Sequence, residues 1–492
     1  MTKMFTSLKP FQTAELIIML ALAFVIPFHW LAAQYGEVAL VACAVLKVVF
    51  EQKFKFNPTQ MKWKWVYLVF MATWLAYLIG MIHTENVDEG WFEVSKKLGF
   101  LLFPLAFLIS DMSYLTKDRI RAVFYALVAG TLVFFLANVL WASYDVIVLK
   151  YTTERFFDDE LMKLYYVHHT YMSMYVLLAF AFCFVEFCNQ KSLKIKIINA
   201  TAMLLMVVFV FLLDSRAGIL TLLVEIIVLW FYYTFILNKK KIGVISGIAA
   251  VVILVAVVFA LPGCFSRITD TVKNVTSEKK TDRRLVQFAG YKSLLKDKWL
   301  FGVGSGDRND ETLKSYKKHE EELISSVVPI QGIDKEEFAV KRTALLDTIC
   351  QLASLGGNWN GPNDKAEDFI KDNAETYGCT AESVLDIYCK YIYIKNALFF
   401  ELDSHNQFFD TMISIGIVGL LLLLAYFVIP VVLMIKHRKF DVTYLIFLMI
   451  IAFNALFESV FETQVGIIFF NFFNMLLFTS LIFNVQSYSK SR

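Results

Sequence analysis

Several side chains with chemical capacity stand at the edges of apolar runs in this sequence. Arg216, in FLLDSRAGILTLL, and the adjacent Arg283 and Arg284, in TDRRLVQF, are guanidiniums beside hydrophobic segments. Paired guanidiniums grip phosphate or pyrophosphate through parallel N–H donors. His405, in ELDSHNQFFD, lies with Asp403 and Asn406 just ahead of an apolar run, a placement that suits a general base at a water boundary. His168 and His169, in YYVHHTYMSMY, are adjacent, so on a helix they face different ways and make a poor metal pair by themselves. One of them can line a cavity while the other packs. Glu458 and Glu462, in ALFESVFETQVG, are four residues apart and share a face if a helix continues through them. That pair suits a cation, a sugar hydroxyl or the arginines. Each group also has a plainer reading: a snorkelling or capping Arg216 paired with Asp214, lipid headgroups for Arg283 and Arg284, backbone hydrogen bonds for His405.

What positions these residues is a membrane domain. Of 492 residues 58% are hydrophobic and 18% charged, against about 25% charged in soluble proteins. This excludes an ordinary cytosolic enzyme and a disordered scaffold, and a net charge of +3 gives no field for nucleic acid. Seven cysteines without a C-x-x-C exclude a zinc ribbon or a disulfide-framed secreted domain. The first apolar run is long enough to remain as an anchor instead of being cleaved. At roughly 20 apolar residues per crossing, the expected fold is all-α and polytopic, with about twelve spans. They fall near 13–33, 37–50, 63–82, 95–110, 122–148, 166–188, 196–213, 217–237, 242–262, 407–435, 442–459 and 465–485. Alternate loops collect Lys and Arg, as at Lys62 and Lys64, Lys117 to Arg121, Lys191 to Lys196, Lys239 to Lys241 and Lys436 to Lys439, which puts both termini in the cytoplasm.

Residues 263–404 hold 43 of the 91 charged residues and form one large, mainly helical loop on the outer face, between the ninth and tenth spans. Four parts follow: an N-terminal group of spans over 1–165, spans six to nine over 166–262, the external cap over 263–404, and three closing spans over 405–492. The cap opens on an amphipathic surface helix, TDRRLVQFAGYKSLLKDKWL, followed by FGVGSG at 301–306. That glycine-rich run lacks the Lys-Ser/Thr of a phosphate-binding loop, so a tight turn is expected there. Cys264, Cys350, Cys379 and Cys389 fall in the cap, where a disulfide and unpaired thiols are both compatible with the sequence. The candidate site residues converge on the outer leaflet. Glu225 stands apart, about nine residues below Arg216 and so roughly 13 Å deep, where interhelical pairing is expected. Arginines, imidazoles and carboxylates on the outer face, with no nucleotide motif, point to group transfer from a lipid-linked phosphate.

The run SHNQFFDTMISIGIVGLL (404–421) resembles the His-Asn signature of the O-antigen ligase and O-antigen polymerase superfamily, and DSRAG (214–218), RRLVQF (283–288), FGVGSG and ALFESVFETQVGIIFFNFF (455–473) follow the family's order. The resemblance covers roughly residues 165 to 475. It implies a bacterial inner-membrane glycosyltransferase that needs no metal or other cofactor, with its active site on the periplasmic side. The implied donor is an undecaprenyl-pyrophosphate glycan, its pyrophosphate held between Arg216 and Arg284, with Arg283 beside them. His405 is implied to orient or deprotonate the acceptor hydroxyl. His169, with His168, Asn406, Glu458 and Glu462, is expected to line the cavity or meet the acceptor. Lipid A-core is the expected acceptor. A growing glycan, as in a polymerase, or a protein hydroxyl uses the same donor chemistry, and the insert around 307–380 has no counterpart that would decide.

Two other classes compete with this reading. A twelve-span transporter or lipid flippase would place its site near the midplane on broken helices, often with internal repeats, and no repeat is visible here. A metal-dependent oligosaccharyltransferase could use Asp158, Asp159 and Glu160, in RFFDDELMK, although such a run more commonly forms a solvated loop.

Overall fold

The computed structural model describes residues 7–51, 57–165, 167–238, 298–353, 362–400 and 404–489, together with residue 5, Gly247, Tyr291 and residues 294–296. Arg283, Arg284, Asp403, Cys264, the expected ninth span and most of the expected surface helix lie outside them. The described residues are helical, without a strand, as the apolar runs predict. Among the described residues, eight helices are long and apolar enough to cross a membrane. This is the architecture of a polytopic membrane protein.

The helices before the cap are α1 (Pro10–Val25), α2 (Trp30–Phe50), α3 (Lys64–Gly80), α4 (Val87–Lys96), α5 (Gly99–Ile109), α6 (Lys117–Ile147), α7 (His169–Asn189), α8 (Leu193–Leu212) and α9 (Arg216–Phe231). After the cap come α14 (Gln407–His437), α15 (Val442–Asn454) and α16 (Gln464–Ser489). Two of them are central. In α7 and α16, 83% and 89% of the apolar window is buried by other helices, against half or less in the other long spans. Those outer helices present Phe50, Leu140 and Leu421 outward, as lipid-facing surfaces do. Aromatic rings pack the interior: Phe70 of α3 stacks on Tyr426 of α14 at 4.1 Å, and Phe461 meets Phe470 of α16 at 4.8 Å.

Three boundaries differ from the sequence expectation, each for a local reason. The first span, expected over 13–33, stops at Val25 because Pro27 follows, and α2 starts from a new cap at His29. The fourth, expected as 95–110, is two helices that break at Lys97 and Leu98, where two lysine side chains turn into a buried charge cluster. At 11 residues α5 covers about 16 Å, too short to cross alone. The eleventh span ends at Asn454, not 459, so Glu458 and Glu462 do not share a helix face. Glu225 is fully buried, and among the described residues neither of its oxygens has a hydrogen-bond partner, so the expected pairing is not found.

The cap contains α10 (Arg308–Ser325), α11 (Lys335–Ala353), α12 (Asp364–Asn373) and α13 (Ala381–Phe399). These pack around their own core, including Leu345, Ile349, Ile370, Tyr388 and Ile392, so the polar stretch folds as a second helical unit. Among the described residues of the cap, Cys350 and Cys379 carry free thiols.

Candidate active site

The site is assembled where α7, α9, α14 and α16 begin. His405 is placed by capping chemistry. Asn406 is the N-cap of α14: its side-chain oxygen accepts from the amides of Phe408 (3.0 Å) and Phe409 (3.2 Å), and its side-chain nitrogen donates to the Leu456 carbonyl at 3.1 Å. The Ser404 hydroxyl accepts from the Asn406 amide and donates to the Asp410 carboxylate at 2.8 Å. Between these anchors His405 takes φ +46°, a left-handed conformation that costs a residue with a Cβ about 1 kcal/mol or more. Its imidazole stays part-exposed, with Nδ1 3.7 Å from Oε1 of Glu458.

Glu458 lies on the loop between α15 and α16. Burial pushes its carboxyl up, but a hydrogen bond with His405, the charges of His405 and His168 and the Ser459 amide outweigh that, so it sits below the usual carboxylate range. His168 caps α7 by accepting from the Thr170 amide at 3.3 Å. Desolvation, reinforced by the charge of His169, holds its imidazole below the ordinary value. Its neighbour His169 stacks on it at 4.3 Å and meets Asp158 and Asp159, each at 2.9 Å. Because His168 is a cap with extended backbone, the argument from opposite helix faces does not apply to this pair. Donor atoms of Asp159, His168 and His169 lie within 4.8 Å of one another, a set that could hold a cation. Arg216 is the first residue of α9, exposed at the same end of the bundle, after Asp214 at φ +46° and the cap Ser215, whose hydroxyl accepts from Gly218 at 3.2 Å.

Beneath His405 lies a charge cluster that the sequence reading did not assemble. Lys97, fully buried, meets Glu462 at 2.9 Å and Glu93 at 3.4 Å, and donates to the Phe461 carbonyl. Arg308, at the start of the cap helix α10, reaches Glu462 at 3.1 Å and Asp410 at 3.5 Å, while Lys96 adds to Glu93 and Glu462. Burial raises the Glu462 carboxyl, but Arg308, Lys97 and Lys96 outweigh it and hold it well below the ordinary range. Gln407 ties the cluster to the loop, accepting from the Phe461 amide and donating toward Glu462 at 3.4 Å. Glu462 is thus committed to fixing the loop that carries Glu458. The signal was available: Lys96 and Lys97 are cations at an end of the bundle where the charge bias disfavours them, as with Arg216.

FGVGSG does not wrap an anion. Helix α14 is broken at Ile415 (φ −132°) and Gly416 (φ +66°), which frees carbonyls in its second turn. Val303 and Gly304 donate their amides to Ile413 and Ser414 at 2.7 and 3.1 Å, and the Ile417 amide donates to Trp299 at 2.8 Å. The approach is so close that a Cβ at Gly302 would lie 2.5 Å from the Ile413 and Ser414 oxygens. Ser305 then donates to the Tyr77 carbonyl at 2.6 Å, and Asp307 accepts from the Glu85 and Asn86 amides at 2.8 and 2.7 Å. The run is a splice that fastens the cap to α14 and to the α3–α4 connection. Below the break, the 21 residues 417–437 cover about 31 Å, a full bilayer core.

A polytopic helical membrane protein with a helical cap and a histidine–carboxylate pair where the two meet defines the class. A family model described as O-antigen ligase matches residues 201–331, from α8 through α9 and into the cap just past α10. The match supports the O-antigen ligase and polymerase superfamily, and with it a membrane glycosyltransferase of that family, whose members take a lipid-linked glycan donor and an acceptor. The matched stretch includes Arg216, Arg283, Arg284 and FGVGSG and ends before His405. No curated protein matches the chain.

Proposed function

We propose that the protein transfers a preassembled glycan from an undecaprenyl-pyrophosphate donor to a hydroxyl of lipid A-core, on the periplasmic face of the bacterial inner membrane. The observation that carries this reading is the His405–Glu458 pair, in which a carboxylate steadies an imidazole at the mouth of the bundle. His405 takes the proton of the acceptor hydroxyl, whose oxygen bonds to the anomeric carbon as the bond from that carbon to the pyrophosphate oxygen breaks. Undecaprenyl pyrophosphate departs with the electron pair, and the proton leaves His405 for solvent or the departing phosphate. Arg216 at the head of α9 and Arg284, with Arg283 beside it, grip the pyrophosphate and stabilise its growing charge, an oxyanion-hole type of contribution. His168 and His169, at the start of α7, are assigned to meet the acceptor. No residue in this scheme calls for a metal.

The test is incubation of the purified protein with a lipid-pyrophosphate glycan and a choice of acceptors, with products read by mass. A single-step shift of lipid A-core supports the ligase reading. A ladder of glycan lengths would replace it with a polymerase, and a shifted protein would replace it with protein O-glycosylation. His405→Ala and Arg216→Ala should each abolish transfer while the chain remains folded in the membrane. Substantial activity in both variants refutes the assignment.

A further inference from the structure

A cavity of about 570 Å³ opens at the end of the bundle opposite His405, within the range of about 300–1,000 Å³ usual for ligand pockets. It lies between the start of α6, the ends of α7 and α16, the π-helical turn Tyr232–Ile236 that continues α9, and the α14–α15 turn. Along α7 its Glu186 is 17 residues from His169, about 25 Å at the helical rise. It is therefore separate from the site described above.

The lining is graded. At the rim stand Lys117, Arg121, Arg438 and Lys439 against two carboxylates, Glu186 and Asp441. Both carboxylates are engaged: Glu186 is paired with Arg121, and Asp441 accepts from the Tyr444 amide at 3.1 Å as the cap of α15. The rim keeps an excess of two positive charges. Deeper in, the walls are Phe124, Phe182, Leu477 and Leu481. From Phe182 to Asn189 and from Leu477 to Asn484 the cavity follows its two central helices for about 10 Å each. A cationic rim above an apolar shaft complements a molecule with an anionic head and hydrocarbon chains. Free phosphate would leave the aromatic shaft unfilled, and a zwitterionic lipid would leave the charge excess unanswered.

We propose that this cavity binds an anionic phospholipid, its phosphate among Lys117, Arg438 and Lys439 and its chains against the Phe182 and Leu481 walls, and that the lipid ties together the ends of α6, α7, α15 and α16. The basic loops of this face lie, by the charge bias, against the leaflet where anionic lipids attract such residues.

The test uses the full-length protein in detergent, with retained lipid read by native mass spectrometry and melting followed on addition of phosphatidylglycerol, phosphatidylcholine, or glycerol phosphate alone. Phosphatidylglycerol should give a retained adduct and a raised melting temperature that fade with salt, while the other two give neither. Arg438→Gln with Lys439→Gln should weaken the lipid about thirty-fold, as expected for two basic charges at a membrane surface. Leu481→Trp should block the adduct by filling the shaft while leaving the rim charged. Equal binding of phosphatidylcholine overturns the role of charge, equal stabilisation by glycerol phosphate overturns the lipid, and undiminished binding in both variants overturns the location. Wild-type binding is read directly, so a poorly folding variant does not blunt the result.

Discussion

Replacing Lys97 with Met tests how the loop carrying Glu458 is held. The cluster contains three cations, Lys96, Lys97 and Arg308, and three carboxylates, Glu93, Glu462 and Asp410, all within 4 Å of an opposite charge. Methionine keeps most of the apolar stem of Lys97 but removes its charge, leaving one buried negative charge in excess. Removing one partner of a buried ion pair costs about 3–5 kcal/mol. Glu462 retains Arg308 at 3.1 Å, so the lower end, about 3 kcal/mol, is expected. The double variant Lys97→Met with Glu462→Gln restores the balance, because Arg308 can lean on Asp410 and Lys96 on Glu93. It should therefore be about 1–2 kcal/mol more stable than the sum of the single changes, within the coupling usual for contacting residues. Denaturant unfolding in mixed micelles, followed by tryptophan fluorescence, measures this cycle; Trp74 donates to the Val94 carbonyl at 3.0 Å, close to the cluster. A Lys97→Met protein within 0.5 kcal/mol of wild type, or a double variant at or below the sum, would refute the reasoning.

Gly416→Ala places a Cβ 2.1 Å from the Leu300 carbonyl oxygen at φ +66°, and should cost about 1–3 kcal/mol, read as a lowered melting temperature. Glu458 and Glu462 are both depressed below the ordinary carboxylate value of 4.5, so the unfolded chain binds more protons as pH falls past that point. Their stabilisation is complete above about pH 4.5 and is lost on further acidification, and Glu462→Gln should flatten that acid limb of a stability–pH curve. Glu458→Gln removes a negative charge 3.7 Å from His405 and should move the acid limb of the transfer rate to lower pH; an unmoved limb would separate the two residues. Transfer should survive EDTA, and its loss would transfer attention to Asp159, His168 and His169.

The membrane character was legible because hydropathy over a span length reports burial in lipid whatever the helices pack against. Most expected spans among the described residues overlap helices, and the boundaries shift at Pro27, at Lys97 and at Asn454. That Lys- and Arg-rich loops share one end of the bundle was legible: Lys117, Arg121, Arg438 and Lys439 meet around one cavity. The placement of His405 ahead of an apolar helix was legible in SHNQ, but neither the Asn406 cap nor the left-handed turn at His405 was, since the turn depends on Ser404 reaching Asp410 and Asn406 reaching Leu456. The Glu458 and Glu462 spacing misled, because a four-residue interval means a shared face only in a continuing helix. Arg308 was hidden among its acidic neighbours Asp307, Asp310 and Glu311.

The splice between FGVGSG and the broken α14 bears on biosynthesis. Carbonyls of Ile413 and Ser414 are satisfied by amides encoded far earlier in the chain. An unpaired carbonyl left in hydrocarbon costs several kcal/mol, so an α14 that slid deeper by two turns without the 299–304 segment attached would be penalised at both positions. The depth of the last three helices is therefore tied to a segment synthesised well before them.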